Sequence, residues 1–169
     1  MKKLLAIIMT LVLMFSFAAC SEIEDIADDI TNAVTSATKS NYGLNETAKT
    51  KNYSITATEL KESKGSKYFK PETGKIFVGV KFTIENISNE DQSLSSLLCF
   101  TAYADDVKCD YSLTADASFS DGTLDGDIAA GKKLVGWYTI EAPENWSKID
   151  IEFVPELLSD EKITFNFTK

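Results

Sequence analysis

The stretch from Gly74 to Asn86 constrains this chain more than any other. Ile76, Val78, Val80, Phe82 and Ile84 fall on one face, while Phe77, Gly79, Lys81, Thr83 and Glu85 fall on the other. Successive side chains of a strand point to opposite faces, so this period of two predicts a half-buried strand in an antiparallel sheet. Shorter alternations follow the same rule at Tyr53, Ile55 and Ala57, then at Leu134, Gly136, Tyr138 and Ile140. Ile149, Ile151 and Phe153 form another, broken by Pro155, and Ile163, Phe165 and Phe167 close the chain. Leu97–Tyr103 and Val107–Leu113 read as a hairpin turning at Ala104-Asp105-Asp106. A polar turn at 86–91 and a Gly/Asp-rich crossing at 119–130 separate the rest. Seven or eight short strands, with no strong helical period after residue 40, predict an all-β fold, an antiparallel β-sandwich.

The N-terminus carries an address. Lys2 and Lys3 form a positive start, Leu4 to Phe15 an apolar run, and Phe17-Ala18-Ala19 leads into Cys20. This is the pattern of a cleaved bacterial lipoprotein signal, in which the cysteine becomes the first mature residue and takes a diacylglyceryl group on its thiol. Phe17 stands where leucine is usual. The run is shorter than the roughly 20 apolar residues of a membrane-spanning helix. One acyl chain holds a protein only marginally, whereas two or more anchor it stably. The expected organisation is therefore a signal peptide at 1–19, a lipid anchor and tether at 20–47, and a folded domain at 48–169. The expected location is the extracytoplasmic face of a cell membrane. Within the tether, Ile23, Ile26, Ile30, Val34 and Ala37 have helical spacing behind early acids that suit a helix dipole. That stripe is narrow and reads first as a spacer. Residues 39–49 read as unstructured.

Charge narrows the partners. Removing residues 1–19 takes away Lys2 and Lys3 and no acid, which moves the formal charge from −9 to −11. So acidic a chain argues against nucleic acid, whose phosphates lysine and arginine must neutralise, and argues equally against electrostatic adhesion to anionic lipid, leaving the anchoring to the lipid. There is no histidine, and all 17 basic residues are lysine. Histidine-dependent nucleophile pairs and histidine metal ligands are excluded, as is bidentate arginine recognition. The chain is read as a non-enzyme without catalytic residues, cofactor or metal, carboxylate-pair chemistry being the formal exception.

Outside the reducing cytosol, Cys99 and Cys109 flank the predicted hairpin turn and are a candidate disulfide, with two separately buried thiols as the alternative. Asp116, Asp121, Asp125 and Asp127, interleaved with Gly122 and Gly126, could wrap a calcium ion. Their spacing fits no EF-hand loop, and the same residues are favoured by turns. Trp137 and Trp146 are the candidate binding surface. Trp137, if exposed beside Phe77, would make an aromatic platform for a glycan or protein, while the bland expectation is core packing. Trp146, beside Pro143, is expected to cap one end. Five Asn-X-Ser/Thr sequons, at Asn45, Asn52, Asn86, Asn145 and Asn166, reflect composition in a bacterial chain.

The order of motifs resembles a known family. The run Gly74 to Asn86 ends a strand in asparagine, and Leu124-Asp125-Gly126-Asp127-Ile128-Ala129-Ala130-Gly131 precedes Gly136-Trp137-Tyr138. A Pro143-Glu144-Asn145-Trp146 turn and the strand Ile149–Pro155 complete the set. Together they resemble the immunoglobulin-like domain of unknown function found in Gram-positive lipoproteins, which automated naming sometimes labels telomeric repeat-binding-factor-like. Ala130 stands where that family more often has proline. The resemblance covers residues 48–168 and implies an Ig-like sandwich at an extracytoplasmic site, with no catalytic residues to carry over. The resulting expectation is a monomer held to the membrane through Cys20, binding an envelope protein or glycan. A spacer within an envelope complex is the alternative.

Overall fold

The computed structural model describes residues 41–119, 122–155 and 161–169. Cys20, the signal segment, the helical stripe of the tether and Asp121 lie outside the described residues. Among the described residues eleven strands occur, more than the seven or eight expected, because several are only two or three residues long.

One sheet has the order β1-β11-β10-β6-β7, and the other β2-β3-β4-β9. The first contains β1 (Asn41–Tyr42), β6 (Phe100–Ala104), β7 (Val107–Cys109), β10 (Lys148–Phe153) and β11 (Ile163–Thr168). The second contains β2 (Thr47–Lys49), β3 (Tyr53–Ser63), β4 (Lys75–Asn86) and β9 (Lys133–Pro143). A two-stranded ribbon joins β5 (Gln92–Leu94) to β8 (Gly126–Ile128). Among these strand pairs only β1–β11 is parallel. Among the described residues two single-turn helices, α1 (Ser96–Cys99) and α2 (Leu113–Asp116), interrupt the strands. No helix among the described residues is long and apolar enough to cross a membrane.

The core is built by the predicted alternation. Ile76, Val78, Val80, Phe82 and Ile84 of β4 meet Ile149, Ile151, Phe153, Phe165 and Phe167 of the facing sheet, all buried. Phe82 packs edge-on to Phe165 with ring centroids 5.1 Å apart, and Phe100 stacks on Tyr138 at 5.0 Å. Complete burial of a large apolar side chain contributes about 1.5–3 kcal/mol, so this double layer dominates stability. In β3 the alternation holds to Ala57. A bulge between Ala57 and Glu59 then shifts the register, and Leu60 faces Val80 instead.

Two expectations are corrected here. Residues 41–47, assigned to the tether, belong to the sandwich: Asn41 and Tyr42 pair with β11, and Thr47 pairs with Thr56 of β3. Strands this short show no alternation, and their stabilising hydrogen bonds come from partner strands. The disulfide is also not formed, since Cys99 and Cys109 are both free and buried. Asp105 and Asp106 do make the tight turn, both at positive φ, of 49° and 67°. That turn sets Ala102 opposite Cys109. Cys99 lies three residues further on, before β6 begins, and so is not the residue set opposite Cys109. It sits in α1 instead, its thiol donating to the Pro155 carbonyl at 3.8 Å.

The strand directions define two ends. Asn41 enters beside Thr164 near the proximal end, which also carries the 86–91 turn and α1. The 64–74 loop, the Asp105–Asp106 turn, Trp146 and the C-terminal Lys169 lie at the distal end.

Candidate functional site

The outer face of β4 and β9 should be solvated in a simple sandwich, yet it is covered. The chain leaves the edge of β9 where the Ser112 amide donates to the Thr139 carbonyl at 2.9 Å. It returns where the Trp137 amide donates to the Gly122 carbonyl at 3.1 Å. Between these points α2 and Phe119 lie over the sheet. Phe119 packs against Trp137 with centroids 5.1 Å apart. A Cβ on Gly79 would meet the Phe119 ring at 2.7 Å, and one on Gly136 would meet the Thr123 backbone at 2.6 Å. Gly79 lets the cover approach the outer face, and Gly136 lets the returning chain close on the edge of β9.

Trp137 is consequently only 3% exposed, and Phe77, two rungs away on the same face opposite Glu141, is fully buried. The Lys61 and Lys81 ammonium groups lie 5.4 and 5.7 Å from the indole centroid. The aromatic platform for a ligand does not exist, because 112–119 occupies it. Trp146 is 2% exposed and caps the distal end. Its Nε1 donates to Glu62 Oε1 at 2.7 Å, and Lys169 Nζ lies 4.9 Å from its ring centroid. Neither tryptophan offers a surface.

The aspartates disperse in the same way. Asp116 accepts from the Tyr111 hydroxyl and packs against Thr139 Oγ1, which donates to the Ser112 carbonyl at 2.9 Å. Burial pushes the Tyr111 phenol above its ordinary range, and the Asp116 carboxylate beside it pushes the same way. Asp125 accepts from Ser96 N at 2.8 Å and from Ser96 Oγ at 2.9 Å. Asp127 is exposed on β8. Among the described residues no group of acids and cysteines is placed to hold a metal.

What the fold leaves open is a groove of about 500 Å³ along the β7–β9 side. β7 is the last strand of its sheet. Val107 and Cys109 sit opposite Ala104 and Ala102, which face the core, so both point towards the gap between the sheets. Cys109 is covered there, but Val107 is 68% exposed, and Leu113 across the groove is 77% exposed. Lys75, Asp110, Tyr111, Glu141 and Pro143 are among the other residues that line it. Tyr111 stacks on Tyr138, with centroids 5.5 Å apart, and closes the groove towards the core. Burial pushes the Cys109 thiol up, against the pull of the Lys75 ammonium. The groove sets the exposed apolar Val107 and Leu113 beside the charged Lys75, Asp110 and Glu141. Sequence reading missed it. The signal was Val107 itself, an apolar residue directly after a two-residue turn, whose facing depends on register.

A family model described as a domain of unknown function, DUF4352, matches residues 42–163. No curated protein matches the chain. Among solved structures, ycdA of Bacillus subtilis, provisionally called a lipoprotein, is similar at TM-score 0.61 and 18% identity. The match covers 72% of this chain but only 38% of that one. The yjhA protein of Bacillus subtilis is similar at TM-score 0.57 and 15% identity, over 73% of this chain and 97% of that one. An uncharacterised β-sandwich protein of Clostridium difficile is similar at TM-score 0.52 and 15% identity, over 77% and 96%. At these identities the likeness is one of fold, and the fold is a β-sandwich.

Proposed function

The chain belongs to the DUF4352 family of domains of unknown function, and from that premise we propose a membrane-anchored extracytoplasmic lipoprotein whose β-sandwich is a non-catalytic interaction module. Two things support the address: the signal ending at Cys20, and a similar fold in a Bacillus subtilis protein provisionally called a lipoprotein. The observation that carries the interaction reading is the groove beside β7. Val107 points towards the interior yet stays in water, facing an exposed Leu113. Apolar side chains held apart on a rigid rim are filled by a partner's side chains at a gain of about 25 cal/mol per Å² covered. A protein segment suits this rim better than a glycan, because both tryptophans that could stack on a sugar are buried.

The test places a photocrosslinking residue at Leu113 in the anchored full chain. The reading expects one or two envelope proteins to be captured there, with the yield cut by Val107→Asp. Capture no greater than from a crosslinker at exposed Lys49 contradicts it and leaves the sandwich as a spacer.

A further inference from the structure

We propose that the distal loop Ser66–Lys70 is a docking tip for a bilayer carrying anionic headgroups. Residues 64–75 hold four lysines against the single acid Glu72, in a chain whose formal charge is −9. At the centre of this basic stretch Tyr68 is 80% exposed and Phe69 is 47% exposed. Lys67 and Lys70 flank them directly, giving the order Lys-Tyr-Phe-Lys.

The loop backbone holds this display in place. The Ser66 amide donates to the Phe69 carbonyl at 2.6 Å, and Ser66 Oγ accepts from the Phe69 amide at 3.2 Å. Gly65 has φ +76°, and a Cβ there would fall 2.0 Å from the Phe69 carbonyl oxygen. The turn is thus closed behind the aromatic pair, which projects outward. A convex tip with two aromatic rings between cations matches the interface of a bilayer, where rings sit at headgroup depth and lysines meet phosphates.

Charge pairing selects which lysines act. Lys64 pairs with Glu144 at 3.1 Å, and Lys75 pairs with Glu72 at 2.7 Å. Asp106 and Asp150 share Lys148, at 3.8 and 2.6 Å. Among the described residues, Lys67 and Lys70 make no ion pair, and Lys67 Nζ lies 5.5 Å from the Tyr68 ring centroid. Glu141 reaches the base of the loop, where it accepts from the Glu72 amide, while residues 66–70 themselves carry no acid; charges further off than about 8 Å are screened at physiological salt. The anchor permits the approach. β4 has 12 residues and so spans about 40 Å from end to end. Twenty residues separate Cys20 from Asn41, and a chain of that length reaches at most about 70 Å. Docking then lays the sandwich back towards the membrane that holds it.

The test is radical footprinting of the lipidated full chain in vesicles of equal phosphatidylglycerol and phosphatidylcholine, compared with phosphatidylcholine alone. The expected result is that oxidation of Tyr68 and Phe69 falls about fivefold or more in the anionic vesicles only. Leu97 and Leu98, exposed at the proximal end, keep their reactivity, and Lys67→Gln with Lys70→Gln restores oxidation of the tip. Equal reactivity of the tip in both vesicles overturns the proposal. So does protection of Leu97 and Leu98 in its place, or protection of the tip by soluble dextran sulfate but not by vesicles, which would assign it to an anionic glycan. A chain that fails to float with the vesicles contradicts the anchor at Cys20 instead, which keeps the two readings distinguishable.

Discussion

Phe119 rests its ring on Gly79, so close that a single methyl group on that glycine would lie 2.7 Å from it. The contact joins the loop after α2 to the middle of β4 and encloses Trp137 between them. It turns what would be a solvated sheet face into a second, smaller apolar layer outside the main core.

Gly79→Ala is therefore expected to destabilise the fold by about 1–3 kcal/mol through overpacking. The same change in a Phe119→Ala background should cost far less, because the obstructing ring is gone. Urea midpoints of the two single variants and the double variant measure the coupling. Purely additive values would mean that the ring does not bear on the glycine.

Asn86 should be among the costliest polar positions. It is fully buried, and its Nδ2 donates to the Glu90 carbonyl at 2.7 Å and to the Ile128 carbonyl at 2.8 Å. Its Oδ1 accepts from the Ser88 amide at 2.9 Å and the Ser88 hydroxyl at 2.7 Å. Asn86→Ala strands these groups at a cost of about 3 kcal/mol. Asn86→Asp should be worse, since a carboxylate would face two carbonyls. A midpoint shift equivalent to less than about 0.5 kcal/mol for either variant contradicts this picture of the proximal end. The same enclosure closes the Asn86 sequon to any modifying enzyme while the domain is folded.

Stability should fall at alkaline pH. Burial raises the Tyr111 and Tyr138 phenols above their ordinary value of 10.0. The folded state then keeps protons that the unfolded state has already lost. The contribution is complete below pH 10 and is lost as pH rises further. Tyr111→Phe removes one such group, so its urea midpoint should decline less steeply above pH 10 than that of the parent chain. An unchanged slope contradicts the role given to Tyr111.

Much of this fold was legible from alternation, and the exceptions have identifiable causes. β4 and β9 read correctly because each keeps one face on the core along its whole length. The turn at Asp105–Asp106 read correctly because aspartate tolerates positive φ. Thr58 defeats the method locally, since its bulge moves Leu60 onto the face that Ala57 leaves. Asn41–Lys49 looked unstructured because its two strands are too short to show an alternation, each placing one side chain, Tyr42 and Ala48, against the core and gaining its hydrogen bonds from β11 or β3. The fate of Trp137 depended on a cover supplied from residues 112–119, which no pattern within β9 announces. The groove was hidden for a related reason, since Val107 and Leu113 meet only through the packing of two sheets.

The two thiols give a direct check on register. Burial raises both the Cys99 and Cys109 thiols above their ordinary value. Folded protein should react slowly with a maleimide, and denatured, unreduced protein should take up label at both positions. A Cys99–Cys109 cross-linked peptide in the unreduced digest would contradict the Ala102–Cys109 pairing.

The most direct measurement is the mass and location of the chain isolated from cells, compared with a Cys20→Ala form. A membrane-held sandwich predicts a mature chain that begins at Cys20, carries a diacylglyceryl mass and sediments with membranes, while the Cys20→Ala form leaves that fraction. A chain that begins elsewhere with Cys20 unmodified, or a Cys20→Ala form that stays with the membranes, would contradict it.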